Sequence, residues 1–308
     1  MQPYVSPISF LPVSTTTLSA KDIKLAKQKL MAEFELAGTT TIPLGNKELS
    51  RNDVLKLFGQ LDHTNDLEYH TLIASDKVLL HFLEQYEIKP GQTFSLPEEK
   101  ITVEFVQWLS PYFSWAFKKT TTRIFRNVNP EEFETLITSP TYMTDNDEWE
   151  AWGGVDTYMQ LTLENFRIIN NVKFHSSAQS AQYASYNFIW LLCNLPENRF
   201  SQLLNNYAFE IMRLAIKEFN SNNREYAFEI LGYAKSLRLS GDMMQSLVNK
   251  EKEMQGIQKK QKNTNTNRKL WHYLRIAFFI LLVFSRVLST CNTTSNNDSV
   301  PVHIIDSK

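Results

Sequence analysis

Glycine is scarce in this chain, with nine in 308 residues. That argues against sheet folds punctuated by Gly-rich turns. It also removes the material of phosphate-cradling loops. The one Gly pair, Gly153-Gly154, has no phosphate-binding framework around it. No G-x-G-x-x-G, no P-loop and no G-x-S-x-G elbow occurs anywhere. Cysteine is scarcer still: Cys193 and Cys291 cannot build a disulfide framework. Six histidines are present, but His63, His70 and His81 are spaced by seven and eleven residues, and no HExxH helix occurs. His175 and Cys193 stand 18 residues apart without a third ligand. The sequence therefore names no catalytic residue, no cofactor-binding residue and no metal ligand. Each histidine is expected in a structural or surface role.

Aromatic residues are plentiful. Twenty Phe, 12 Tyr and six Trp, in a chain that is 43% hydrophobic, can fill a sizeable core. The formal net charge is −1, yet it is unevenly spread. Residues 250–269 hold seven Lys or Arg against Glu251 and Glu253, a surplus of +5, so the remainder carries −6. A mildly acidic body argues against nucleic acid as the main partner. No small-molecule partner and no cofactor is evident.

Residues 1–18 read as an extended Pro-, Ser- and Thr-rich leader. Ile23, Ala26, Leu30 and Phe34 then recur at helical steps, with Ser19 as N-cap and Gly38 as terminator. Thr40 to Leu44 reads as a short edge strand because of Pro43, and Gly45-Asn46 suits a hairpin turn. Ser50-Arg51-Asn52-Asp53 fits a capping arrangement for a second helix, and Asp76 to about Tyr86 suits a third. Lys89-Pro90-Gly91-Gln92 marks a turn and a domain boundary.

Beyond it, Phe105, Trp108, Leu109, Tyr112, Phe113 and Ala116 hold helical spacing, with Pro111 expected to kink or break the helix. Asn129-Pro130-Glu131-Glu132 is a helix start. Helices are also expected over Val155–Asn170 and Ser177–Leu192. Asp145 to Glu150 opens like a Ca²⁺ loop, but Glu150 stands where Gly is required and Asp156 where Glu is required. A solvated acidic loop is the expectation, with Trp149 and Trp152 beside it as an interaction patch. Tyr207-Ala-Phe-Glu-Ile211 recurs 19 residues later as Tyr226-Ala-Phe-Glu-Ile230, with Ala215 and Ala234 matching further on. This predicts two antiparallel helices sharing one stripe. A single pair is too few for a solenoid, and a further helix is expected over Asp242–Ile257.

Leu270 to Cys291 is 22 largely apolar residues around a nine-residue run, Ile276 to Phe284. A spanning helix needs about 20 such residues. Trp271 and Tyr273 suit a headgroup belt, and Arg275 and Arg286 suit the two interfaces. An interfacial or a buried helix is the competing reading. The basic flank places the large N-terminal part on the cytoplasmic side. MQPYVSPISFLPVSTTT has neither a basic n-region nor a long apolar h-region, which argues against a cleaved signal.

The expected fold is therefore mainly α: a helical body, a small N-terminal α-rich unit with minor β, and a single C-terminal transmembrane helix. The expected organisation is residues 1–92 as that N-terminal unit, 93–258 as an aromatic-rich helical domain, 259–269 as a basic linker, 270–291 as the membrane helix and 292–308 as a short polar tail. The expected function is a membrane-tethered cytoplasmic scaffold or adaptor, with membrane lipid and an unknown protein as partners. The alternative is an enzyme with a site in the central domain, around His175 or residues 145–156.

Overall fold

A computed structural model describes residues 3–7, 20–44, 47–60, 64–172 and 181–292. Within them, side chains are described for all but residues 20, 43–44, 47, 60, 64–65, 261–270, 272 and 278–292. The protein is mainly helical, with 12 α-helices and one two-stranded sheet among the described residues. It divides into two compact units, Met1–Leu247 and Val248–Lys308.

Helix α1 (Ala20–Ala37) buries Ala26, Leu30 and Phe34 at four-residue steps. It ends at Gly38, whose φ of 61° lies in the left-handed region that L side chains avoid. Strands β1 (Thr41–Leu44) and β2 (Lys47–Ser50) pair antiparallel with Leu44 opposite Lys47, which leaves a two-residue connection. Gly45 and Asn46, expected to form that turn, lie outside the described residues, as does Ser19. Helix α2 (Arg51–Gln60) opens with a reciprocal cap. The Ser50 N–H and hydroxyl both donate to Asp53 Oδ2, and the Asp53 N–H donates to Ser50 Oγ. Leu49, Val54 and Phe58 close over the α1 stripe to form one hydrophobic cluster.

Helices α3 (Thr64–Ser75) and α4 (Lys77–Gln85) are joined through buried Asp76. Its Oδ1 accepts from the Val78 and Leu79 N–H groups, and its Oδ2 from the Ser95 N–H at 2.6 Å. Helix α4 ends at Tyr86 with φ 61°. Thr120 and Arg123 from the next helix donate to the Tyr86 carbonyl and hold that unusual backbone in place.

Helix α5 (Val103–Asn127) is the central element and continues through Pro111, where a kink or break was expected. An internal proline costs roughly 3 kcal/mol. Leu109, Tyr112, Phe113, Ala116 and Phe117 are all buried around it, so continuous packing of one face outweighs one lost backbone bond. Helix α6 (Pro130–Thr138) starts as expected, with Asn129 Oδ1 accepting from the Glu132 N–H.

The acidic stretch is not a loop but helix α7 (Asp145–Ala151). Thr144 caps it, and Asp147 receives the Thr144 and buried Ser110 hydroxyls. Acids in a first turn oppose the positive helix end, which favours helix over open loop. Helix α8 (Gly153–Asn171) follows and lies against α5. A Cβ at Gly154 would run into Thr122 Oγ1 and Lys118, so the close approach of α8 requires glycine.

The helix expected over Ser177–Leu192 is shorter among the described residues. Helix α9 (Tyr186–Cys193) starts at the Ser185 cap, and residues 173–180 lie outside the described residues. Helices α10 (Glu197–Asn220) and α11 (Arg224–Ser236) form the repeat hairpin. Helix α12 (Gly241–Asn292) continues well past Ile257. Among the described residues, no helix is long and apolar enough to cross a membrane.

Candidate functional site: an aromatic cavity beside the N-terminal segment

The Met1–Leu247 unit carries a cavity of about 640 Å³. Six pieces of chain meet there: Pro3 to Val5, strand β2, helix α2, helix α3, Tyr86 at the end of helix α4, and the central helix α5. The size falls within the range of small-molecule pockets, roughly 300–1,000 Å³.

Tyr4 and His70 form its inner wall, at 1% and 2% exposure. The Tyr4 hydroxyl lies 2.8 Å from His70 Nδ1. Burial holds the His70 imidazole down to about 4, so the ring is neutral at pH 7. Burial also pushes the Tyr4 phenol well up, so it keeps its proton. Tyr112 meets Tyr4 edge-on at 5.5 Å, and Trp108 stands perpendicular to His70 at 4.9 Å behind the wall. The N-terminal segment is further held by the Ser6 N–H, which donates to Glu84 Oε1.

Trp115 forms another wall, with the Lys119 ammonium 4.8 Å over its ring. Lys56, Lys119, Glu48 and Asp53 stand at the rim, two charges of each sign. Asp53 is already committed to the α2 cap. Two of the lining residues each keep a side-chain nitrogen closed off from solvent and without a hydrogen-bond partner among the described residues: His70 Nε2 and Trp115 Nε1. Such orphans are uncommon in folded proteins because an unmade bond to a desolvated group costs about 1–3 kcal/mol.

The sequence singles out none of these residues as functional. His70 is expected to be structural, and its burial agrees with that. Tyr4 and Trp115 carry no local motif, since the cavity joins positions more than a hundred residues apart. The other histidines of the N-terminal region do not converge on it. His81 is half-exposed and 4.0 Å from Glu87, and His63 lies outside the described residues.

The candidates raised from the central region are otherwise engaged. Asp147 completes the α7 cap, and Asp156 pairs with Arg199 and accepts from Gln160. Trp152 is buried against Phe117, Phe133 and Phe200, so it belongs to the core and not to a surface patch. Trp149 is 55% exposed, with the Arg199 guanidinium 4.4 Å over its ring. His175 lies outside the described residues. No group of three or more His, Cys, Asp or Glu that could hold a metal ion occurs among the described residues.

Of the expected interface anchors, Trp271, Tyr273 and Arg275 are exposed on α12, and the Arg286 side chain lies outside the described ones. Compared with known proteins, the chain matches no protein-family model, no curated protein and no solved structure.

Proposed function

We propose that this chain is a membrane-tethered helical interaction protein. Its body binds a protein partner on the cytoplasmic side, and residues 270–291 hold it at the bilayer. The observation that carries the binding half is one face of α8. Leu161 and Ile168 are exposed there, at 63% and 55%, and Val172, the extended residue that ends the helix, is 47% exposed. A spacing of seven residues puts Leu161 and Ile168 on one side of the helix. A single exposed apolar residue means little, but two on one helix face with a third at its end suit a partner. The tether rests on composition: 22 largely apolar residues, Leu270 to Cys291, preceded by a basic stretch that would favour anionic headgroups.

Two measurements test the two halves separately. Carbonate extraction should leave the full chain with the membrane pellet, and its release as a soluble protein ends the tether. Capture of a partner by the full chain should be lost in the double variant Leu161→Asp, Ile168→Asp. Undiminished capture of the same partner ends the assignment to α8.

A further inference from the structure

We propose that the cavity between the N-terminal segment, α2 and α5 binds a small planar aromatic anion, with its ring inside and its negative group at the mouth beside Lys56 and Lys119. This goes beyond the adaptor reading and does not depend on it.

The four charges of the rim are not equally available. Asp53 Oδ2 accepts from both the N–H and the hydroxyl of Ser50, at the positive end of helix α2. Glu48 Oε2 accepts from the Thr41 hydroxyl at 3.5 Å. Both carboxylates are thus drawn on by the chain's own donors. The two cations are not. Neither Lys56 nor Lys119 makes an ion pair or a hydrogen bond among the described residues. Lys56 acts on Asp53 only as a charge at longer range, and the Lys119 ammonium rests over the Trp115 ring. Both lysines are exposed.

A lone unpaired lysine on a surface signals nothing. Here two of them, one from α2 and one from α5, line the same cavity, and one lies over an aromatic wall. An anion held at the mouth keeps part of its hydration, so it avoids most of the cost of burying a charge. A cation at the same place would meet two like charges. The interior takes a different group. Tyr112 and Trp115 are flat, and Leu49 and Leu57 are apolar, so an aromatic ring packs among them.

Three probes of one shape discriminate: 2-naphthoate, which is anionic; 2-naphthamide, its neutral analogue; and 2-naphthylmethylamine, which is cationic. Titration calorimetry of the full chain should show one 2-naphthoate site. The amide should bind about tenfold more weakly, as loss of a charge-assisted contact does, and the amine more weakly still. The double variant Lys56→Gln, Lys119→Gln changes only exposed positions. It should weaken 2-naphthoate about tenfold, as loss of two exposed ion pairs does, and leave the amide unchanged. Leu57→Trp, which fills the cavity from α2, should abolish binding of 2-naphthoate. The proposal is overturned by absence of saturable 2-naphthoate binding, or by the amide or the amine binding as tightly. It is equally overturned if the double lysine variant binds 2-naphthoate as the wild type does, which would move the anion elsewhere, such as the basic stretch 250–269.

Discussion

The Tyr4 hydroxyl lies 2.8 Å from His70 Nδ1, although the two residues stand 66 positions apart and both are withdrawn from water. This bond ties the N-terminal segment to helix α3 and fixes the inner wall of the cavity. Burial, rather than this bond, keeps His70 neutral.

Stability should therefore fall with acid. His70 in the folded chain sits near 4 against 6.5 for a free histidine. Between these values the unfolded chain binds the extra proton and the folded chain does not, so stability rises with pH through that window. The contribution is complete above about 6.5 and is lost as pH falls towards 4. At about 1.36 kcal/mol per pH unit, it amounts to about 3 kcal/mol. Urea midpoints from about pH 7 to 4 should fall more steeply for the wild type than for His70→Asn. Equal slopes would show that His70 is not held neutral.

Gly154→Ala should destabilise the protein by about 1–3 kcal/mol, because the new methyl meets Thr122 Oγ1 and Lys118 of α5. The added variant Thr122→Ala removes the nearest of these atoms. Its presence should restore part of the loss. A thermal midpoint unchanged by Gly154→Ala alone would rule out the tight approach of α8 to α5.

The two copies of the Tyr-Ala-Phe-Glu-Ile repeat should respond differently to one substitution. Glu210 is buried, accepts from Asn170 and Arg213, and stands 3.6 Å from Arg167. Glu229 is exposed and accepts from Tyr233. Glu210→Gln should cost about 1–3 kcal/mol and Glu229→Gln less than about 0.5. Denaturation midpoints compare them directly, and equal losses would contradict the burial difference.

The repeat also shows how far sequence reasoning reaches. Its prediction of a helical hairpin holds, and Ala208, Ile211 and Ala215 are buried like Ala227, Ile230 and Ala234. The Tyr and Phe positions diverge. Tyr207 is fully buried, Tyr226 is half-buried, and Phe209 is exposed where Phe228 is half-buried. Small and β-branched residues follow the helical period, but a large side chain goes wherever its neighbours leave room. The α2 and α6 caps are legible because their partners lie three residues apart. The α7 cap, Thr144 with Asp147, is equally local, but four acids in six residues read as a solvated loop, and the buried Ser110 that fixes this cap lies 34 and 37 residues away. The cavity is not legible at all, and the sequence carries no sign of a small molecule.

By itself, then, the sequence determined what rests on near neighbours. Helical periodicity, local caps, the scarcity of glycine and the apolar run after a basic stretch all act within a few turns of chain. Tertiary structure alone decided that Pro111 stays inside a helix, that Gly154 must be glycine, and that Tyr4, His70 and Trp115 share one cavity. The physical reason is the same in each case. Burial and close packing are set by which distant surfaces meet, and no spacing along the chain encodes that meeting.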